Sequence, residues 1–94
     1  MLNFTQLEKL IKMSREEILA KLKTIVKPYV SDEALFAGLS EESDLINDLK
    51  INSAHVVDIV LDIETEFDIV VDDESINKMT TIASSIDVVE KLMA

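Results

Sequence analysis

SAHVVDIVLDIETEF, residues 53 to 67, is the stretch on which the fold turns. Val56, Val57, Val60, Ile63 and Phe67 recur at helical spacing, and Asp58, Asp62, Glu64 and Glu66 fill the positions between them. The pattern predicts a strongly acidic amphipathic helix opened by Ser53. Its β-branched run, Val56, Val57, Ile59 and Val60, lowers helix propensity by a few tenths of a kcal/mol per residue, but over fifteen positions the period outweighs that cost. Alternation from Ile69 to Val71 gives a weak strand signal that the same argument sets aside.

Downstream, Asp73 to Lys78 suits one or two helical turns. Thr80 or Thr81 can cap a last amphipathic helix carrying Ile82, Ile86, Val89 and Leu92. Upstream, Ser31 to Asn52 loses the period and spaces single leucines (Leu35, Leu39, Leu45, Leu49) among Gly38, serines and acids. Loops longer than about 12–15 residues in compact domains are usually functional or contain short helical turns, so this one is expected to be ordered and pinned to the core by its leucines. Further back, Ser14-Arg15-Glu16-Glu17 has capping-box spacing. Ile18, Leu19, Leu22, Ile25 and Val26 continue as an apolar stripe until Pro28 interrupts the hydrogen-bond ladder, which places a first helix near residues 15 to 29. Residues 1 to 13 read as an N-terminal extension of undecided order, and 14 to 94 as the domain. The fold class is all-α: a four-helix bundle with one short helix and a long first loop.

Ninety-four residues provide one modest core and room for one site. No cysteine is present, which excludes disulfides, thiolate metal sites and a cysteine nucleophile, so any thiol chemistry must be imported. The net charge of −10 disfavours nucleic acid and anionic membranes and favours basic protein partners. It is unevenly spread: residues 1 to 30 hold six Lys or Arg against three acids, and residues 31 to 94 hold three Lys against sixteen acids. No apolar run approaches the eighteen or more residues of a membrane span, and the start lacks the layout of a secretory signal, so a cytoplasmic location is expected. His55 is the single histidine, with no companions for a catalytic triad. Asp72-Asp73-Glu74 and Asp32-Glu33 lack the alternating acids and central glycine of a calcium loop, and no metal site is expected.

A serine at the first position of a helix faces backbone N–H groups without intrahelical partners and the positive end of the helix dipole, a place that favours an attached phosphate. Most serines so placed are only caps, worth about 0.5–2 kcal/mol over alanine. The context separates the two readings. DLKINSAHVVDIVLDIETEFDIVVDDESINKMTTIASSIDVVEKL, residues 48 to 92, resembles the acyl carrier protein family and its peptidyl-carrier relatives. The matching features are Asp48-Leu49 before the serine, apolar residues three, four, seven, ten and fourteen positions after it, Glu64-Thr65-Glu66-Phe67, an acidic turn and a Thr-led final helix. Ser14 to Val26 adds a match at the first helix.

The resemblance implies that Ser53 receives a covalent 4′-phosphopantetheine arm from coenzyme A through a phosphopantetheinyl transferase. The arm's thiol then carries acyl intermediates of fatty-acid or related lipid synthesis as thioesters. The chain itself would be non-catalytic and monomeric. It implies a partner-binding face made by Asp58, Leu61, Asp62 and Glu64, met by basic docking surfaces on acyl-transferring and acyl-modifying enzymes. It also implies shelter for an acyl chain near Val60, Ile63, Phe67, Ile76 and Ile82, residues that ordinary core packing explains equally well. One departure is local: the family usually has Asp-Ser-Leu where this chain has Asn52-Ser53-Ala54, which removes a charge used in engaging the transferase. Two alternatives stay open, an aminoacyl or peptidyl carrier for a specialised product and an unmodified acidic interaction module of the same fold.

Overall fold

A computed structural model of the chain describes residues 13–93. The N-terminal extension lies outside the described residues apart from Met13, which packs against the core. Helix α1 spans Arg15–Val26. Ser14 caps it, accepting from the Glu17 N–H and donating to its carboxylate, both at 3.2 Å. Pro28 supplies no N–H, so the chain tightens there into a 3-10 turn over Lys27–Tyr29 instead of extending the α-helix to residue 29.

The expected long loop holds a helix of its own. Helix α2, Glu33–Ala37, is capped by Asp32, whose carboxylate accepts from the N–H groups of Ala34 at 2.8 Å and Leu35 at 3.4 Å. The described residues therefore contain five α-helices where sequence periodicity predicts four. A five-residue helix is too short for a period to register, and only its Asp32 cap signals it. After a 3-10 turn over Ser53–His55, α3 spans Val56–Phe67 and ends on Asp68, which takes a left-handed conformation at φ 54°. Helix α4, Asp73–Lys78, is capped by Asp72. Helix α5, Ile82–Met93, follows Thr81, whose hydroxyl accepts from the Ser84 N–H at 3.0 Å.

The long helices α1, α3 and α5 share one core, with α1 against both α3 and α5, and α4 against α5. Ile18, Leu22, Ile59, Ile63, Ile82, Ile86 and Val89 are at most 1 % exposed. Burying one such side chain removes enough apolar surface from water to contribute roughly 1.5–3 kcal/mol before conformational entropy is charged against it. The loop leucines Leu39, Leu45 and Leu49 are buried in the same core, as their spacing predicts. No described helix is long and apolar enough to cross a membrane.

Candidate functional site

Ser53 is held in place by the loop before it. Leu45 donates to the Thr80 carbonyl at 3.0 Å, Ile82 to Ser43 at 3.0 Å and Ala83 to Glu41 at 2.8 Å, so the loop is strapped across the start of α5. Within it, the Asp44 carboxylate accepts from the N–H groups of Ile46 and Asn47, and the Asp48 carboxylate accepts from Asp44. The bonds from Asn47 and Ile46 hold the Asp44 carboxyl below its ordinary range, with the Asn47 bond the larger cause. Leu49 and Ile51 then turn into the core and donate to the carbonyls of Asp44 and Leu45 at 3.0 and 3.1 Å. Lys50, caught between them, adopts the left-handed conformation at φ 57°. The chain emerges at Asn52 already set for the turn into α3.

The capping role belongs to Asn52. Its side-chain oxygen accepts from the Ala54 N–H at 2.9 Å and its carbonyl accepts from His55 at 2.8 Å. Ser53 is exposed, and its hydroxyl has no hydrogen-bond partner among the described residues. The cap explanation for this serine is thereby removed, because its neighbour already does that work.

Ser53 stands at the edge of an open cleft of about 420 Å³ lined by Leu45, Ile46, Val56, Ile76 and Met79, with Asp44, Asn47, Asn77 and Thr80 at its polar margin. That is at the small end of the roughly 300–1,000 Å³ common for ligand sites. An exposed primary hydroxyl beside aliphatic walls and amide and hydroxyl groups fits a phosphodiester-linked arm with amides along its length and a hydrocarbon at its end. Of the five residues named as acyl-chain shelter, Ile76 lines this cleft. Val60, Ile63, Phe67 and Ile82 are closed within the packed core.

His55 turns elsewhere. Its ring lies 5.3 Å from that of Tyr29 with a 41° tilt, and Nδ1 is 3.4 Å from the Asp58 carboxylate. Tyr29 in turn donates to Asp62 at 3.2 Å. Burial first, and then the Asp62 carboxylate, raise the Tyr29 phenol above its ordinary value.

On α3, Asp58, Leu61 and Asp62 are exposed, and Leu61 shows 54 % of its surface beside an equally prominent Val57. Glu64 is half-buried, and one of its oxygens accepts from the Val71 N–H at 2.8 Å, so this acid also fastens the turn after α3. Among the described residues no three His, Cys, Asp or Glu side chains converge in a way that would hold a metal ion.

Sequence periodicity does not reveal Lys50, Tyr29 or the amide margin of Asn47 and Asn77, all placed by chain reversals. A lysine flanked by two leucine-like positions is the only trace Lys50 leaves. No family model matches the chain. Among curated proteins, the chain is 39% identical over 79 residues to the acyl carrier protein of Thermotoga maritima, covering 83% of this chain and 94% of that protein. It is 36% identical over 78 residues to the acyl carrier protein of Coprothermobacter proteolyticus, covering 83% of this chain and 93% of that protein. With identity above one third along nearly the whole of both relatives, and with an all-helical bundle that strings its elements in the expected order, the chain belongs to the acyl carrier protein family.

Proposed function

We propose that this chain carries acyl groups as thioesters on a 4′-phosphopantetheine arm attached to Ser53, in fatty-acid or related lipid synthesis. The observation that carries the proposal is the exposed Ser53 hydroxyl, free of hydrogen-bond partners among the described residues and set beside an aliphatic cleft, while Asn52 caps the turn. The arm, once attached, supplies the thiol that a cysteine-free chain lacks. The chain's own residues orient and present. The loop bonds fix Ser53 at the surface, Leu45, Ile46, Val56, Ile76 and Met79 offer apolar contact, and no bond-making step falls to a side chain of the carrier.

Asp58, Leu61 and Asp62 form the exposed docking face for a phosphopantetheinyl transferase and for acyl-handling enzymes with basic surfaces, with Glu64 half-buried at its margin, where it chiefly fastens the turn after α3. Complementary charge there chiefly raises encounter rates and selects partners. The aliphatic lining of the cleft favours an alkyl cargo over an amino acid. A working cytoplasmic monomer completes the reading.

The test is intact mass with peptide mapping after incubation with coenzyme A, magnesium and a broad-specificity phosphopantetheinyl transferase. One arm on Ser53, absent from Ser53→Ala, is the expected result. A chain left bare while a known carrier is modified alongside it would favour an unmodified interaction module. Loading by an amino-acid-activating ligase, with no loading by fatty-acid enzymes, would favour the aminoacyl carrier.

A further inference from the structure

The segment that carries Ser53 differs in charge from the rest of residues 31 to 94. Residues 49 to 57, LKINSAHVV, contain no Asp or Glu and one Lys, whereas the remainder of residues 31 to 94 holds sixteen acids against two Lys. Lys50 is exposed, and among the described residues it forms no ion pair, although Arg15, Lys21 and Lys78 each do. Its backbone is fixed at φ 57° between two buried, hydrogen-bonded neighbours, which sets where its side chain leaves the surface. The acids nearest in sequence keep their charge but are tied to local partners, and Asp44 shares the cleft margin with Ser53. Asp44 and Asp48 accept from loop N–H groups, and Asp58 lies beside His55. Asn52 spends its oxygen on Ala54, so the group it has left to present is its NH₂ donor.

We propose that Lys50 and Asn52, a cation and an amide donor with no carboxylate between Asp48 and Asp58, select for a transferase presenting an acidic or neutral group to this loop. The inference rests on Ser53 being the attachment site. Three residues of chain span at most about 11 Å, so Lys50 lies within roughly one Debye length of the reacting hydroxyl at moderate salt and acts on any partner that reaches it. A partner with a uniformly basic docking surface is attracted by Asp58 and Asp62 and repelled at the loop. A partner with a base facing α3 and an acid facing residues 50 to 52 meets no such conflict.

The experiment measures initial rates of arm transfer to the full chain by intact mass, using a transferase whose carrier-docking surface is basic. Wild type is compared with Lys50→Glu, Asn52→Asp, the double variant and Lys50→Asn, which removes the charge with a residue tolerant of positive φ. In low salt the double variant is expected to gain about tenfold in kcat/KM, mainly through KM, with Lys50→Asn intermediate and the gain collapsing as salt rises to screen the contact. Replacing the transferase's docking base with a carboxylate should reverse the order in favour of wild type. Equal kcat/KM across folded variants, or a gain that survives high salt, would overturn this inference and leave the carrier reading intact. Absence of an arm on Ser53 in every variant would overturn the carrier reading and this one with it.

Discussion

Lys50 bears a conformational cost that a glycine would avoid. A left-handed backbone costs an L-residue about 1–2 kcal/mol, part of which glycine returns through its larger loss of entropy on folding. Lys50 stays there because Leu49 and Ile51 are both buried and both hydrogen-bonded to the preceding turn. Lys50→Gly is therefore expected to raise the unfolding free energy by several tenths to about 1 kcal/mol, read as a higher urea midpoint at unchanged m-value. A lower midpoint would mean that the lysine side chain contributes a contact outweighing the strain. At the same scale, Glu64 and Asp58 look alike in sequence and differ in the fold. Glu64→Ala leaves the Val71 N–H without its charged acceptor, and a loss of about 1–3 kcal/mol is expected from denaturant unfolding. Asp58→Asn, on the exposed face, should leave stability nearly unchanged and lower the rate of complex formation with a basic partner in a salt-dependent way. If both variants lost partner binding at equal stability, the two acids would share one role.

At the scale of elements, short helices depend on their caps because they have little else. Helix α4 has six residues, and Asp72 accepts from the Ser75 N–H at 2.7 Å. That hydrogen bond, aided by Lys91 and Lys78, holds the Asp72 carboxyl below its ordinary range. Asp44 is depressed in the same direction by the loop N–H groups. A carboxylate whose folded pKa is depressed contributes stability that is fully present above its unfolded value, near 3.9, and is lost as pH falls through the lower folded value. The bundle is thus expected to lose stability progressively below about pH 4–5. Asp72→Asn should flatten that loss in chemical denaturation curves taken as a function of pH. A slope identical to that of wild type would show that the acid sensitivity arises elsewhere.

Across the whole molecule, one guanidinium links three segments distant in sequence. Arg15 at the start of α1 donates to Glu41 in the loop at 2.7 Å, to Asp87 on α5 at 2.7 Å and to Glu90 on α5. The hydrogen bonds to Glu41 and Asp87 dominate in raising its pKa far above the ordinary value. The same loop donates and accepts the backbone bonds that strap it to α5, so the Arg15 contacts and the strap support the platform on which Ser53 stands. Arg15→Gln is expected to lower Tm and to speed amide hydrogen exchange at Ala83, whose N–H bonds the Glu41 carbonyl, by a larger factor than at Ile63 in the core. Unchanged protection at Ala83 would separate the ion cluster from the strap.

Much of this protein is local and therefore legible in the sequence. The apolar periods from Ile18 to Val26, Val56 to Phe67 and Ile82 to Leu92 are properties of neighbouring residues on one helix, as are the caps at Ser14 and Thr81, and the structure shows all of them. The sequence pattern places Ser53 at the start of the helix, and in the structure it opens the 3-10 turn that leads into α3 at Val56. What only the tertiary structure decides is long-range: that Lys50 is forced to positive φ, that Glu64 fastens a loop while Asp58 faces solvent, and that Arg15 meets three acids. Each depends on where the chain returns after a reversal, and a reversal is set by the simultaneous burial of residues such as Leu45, Leu49 and Ile51, which no periodic pattern encodes.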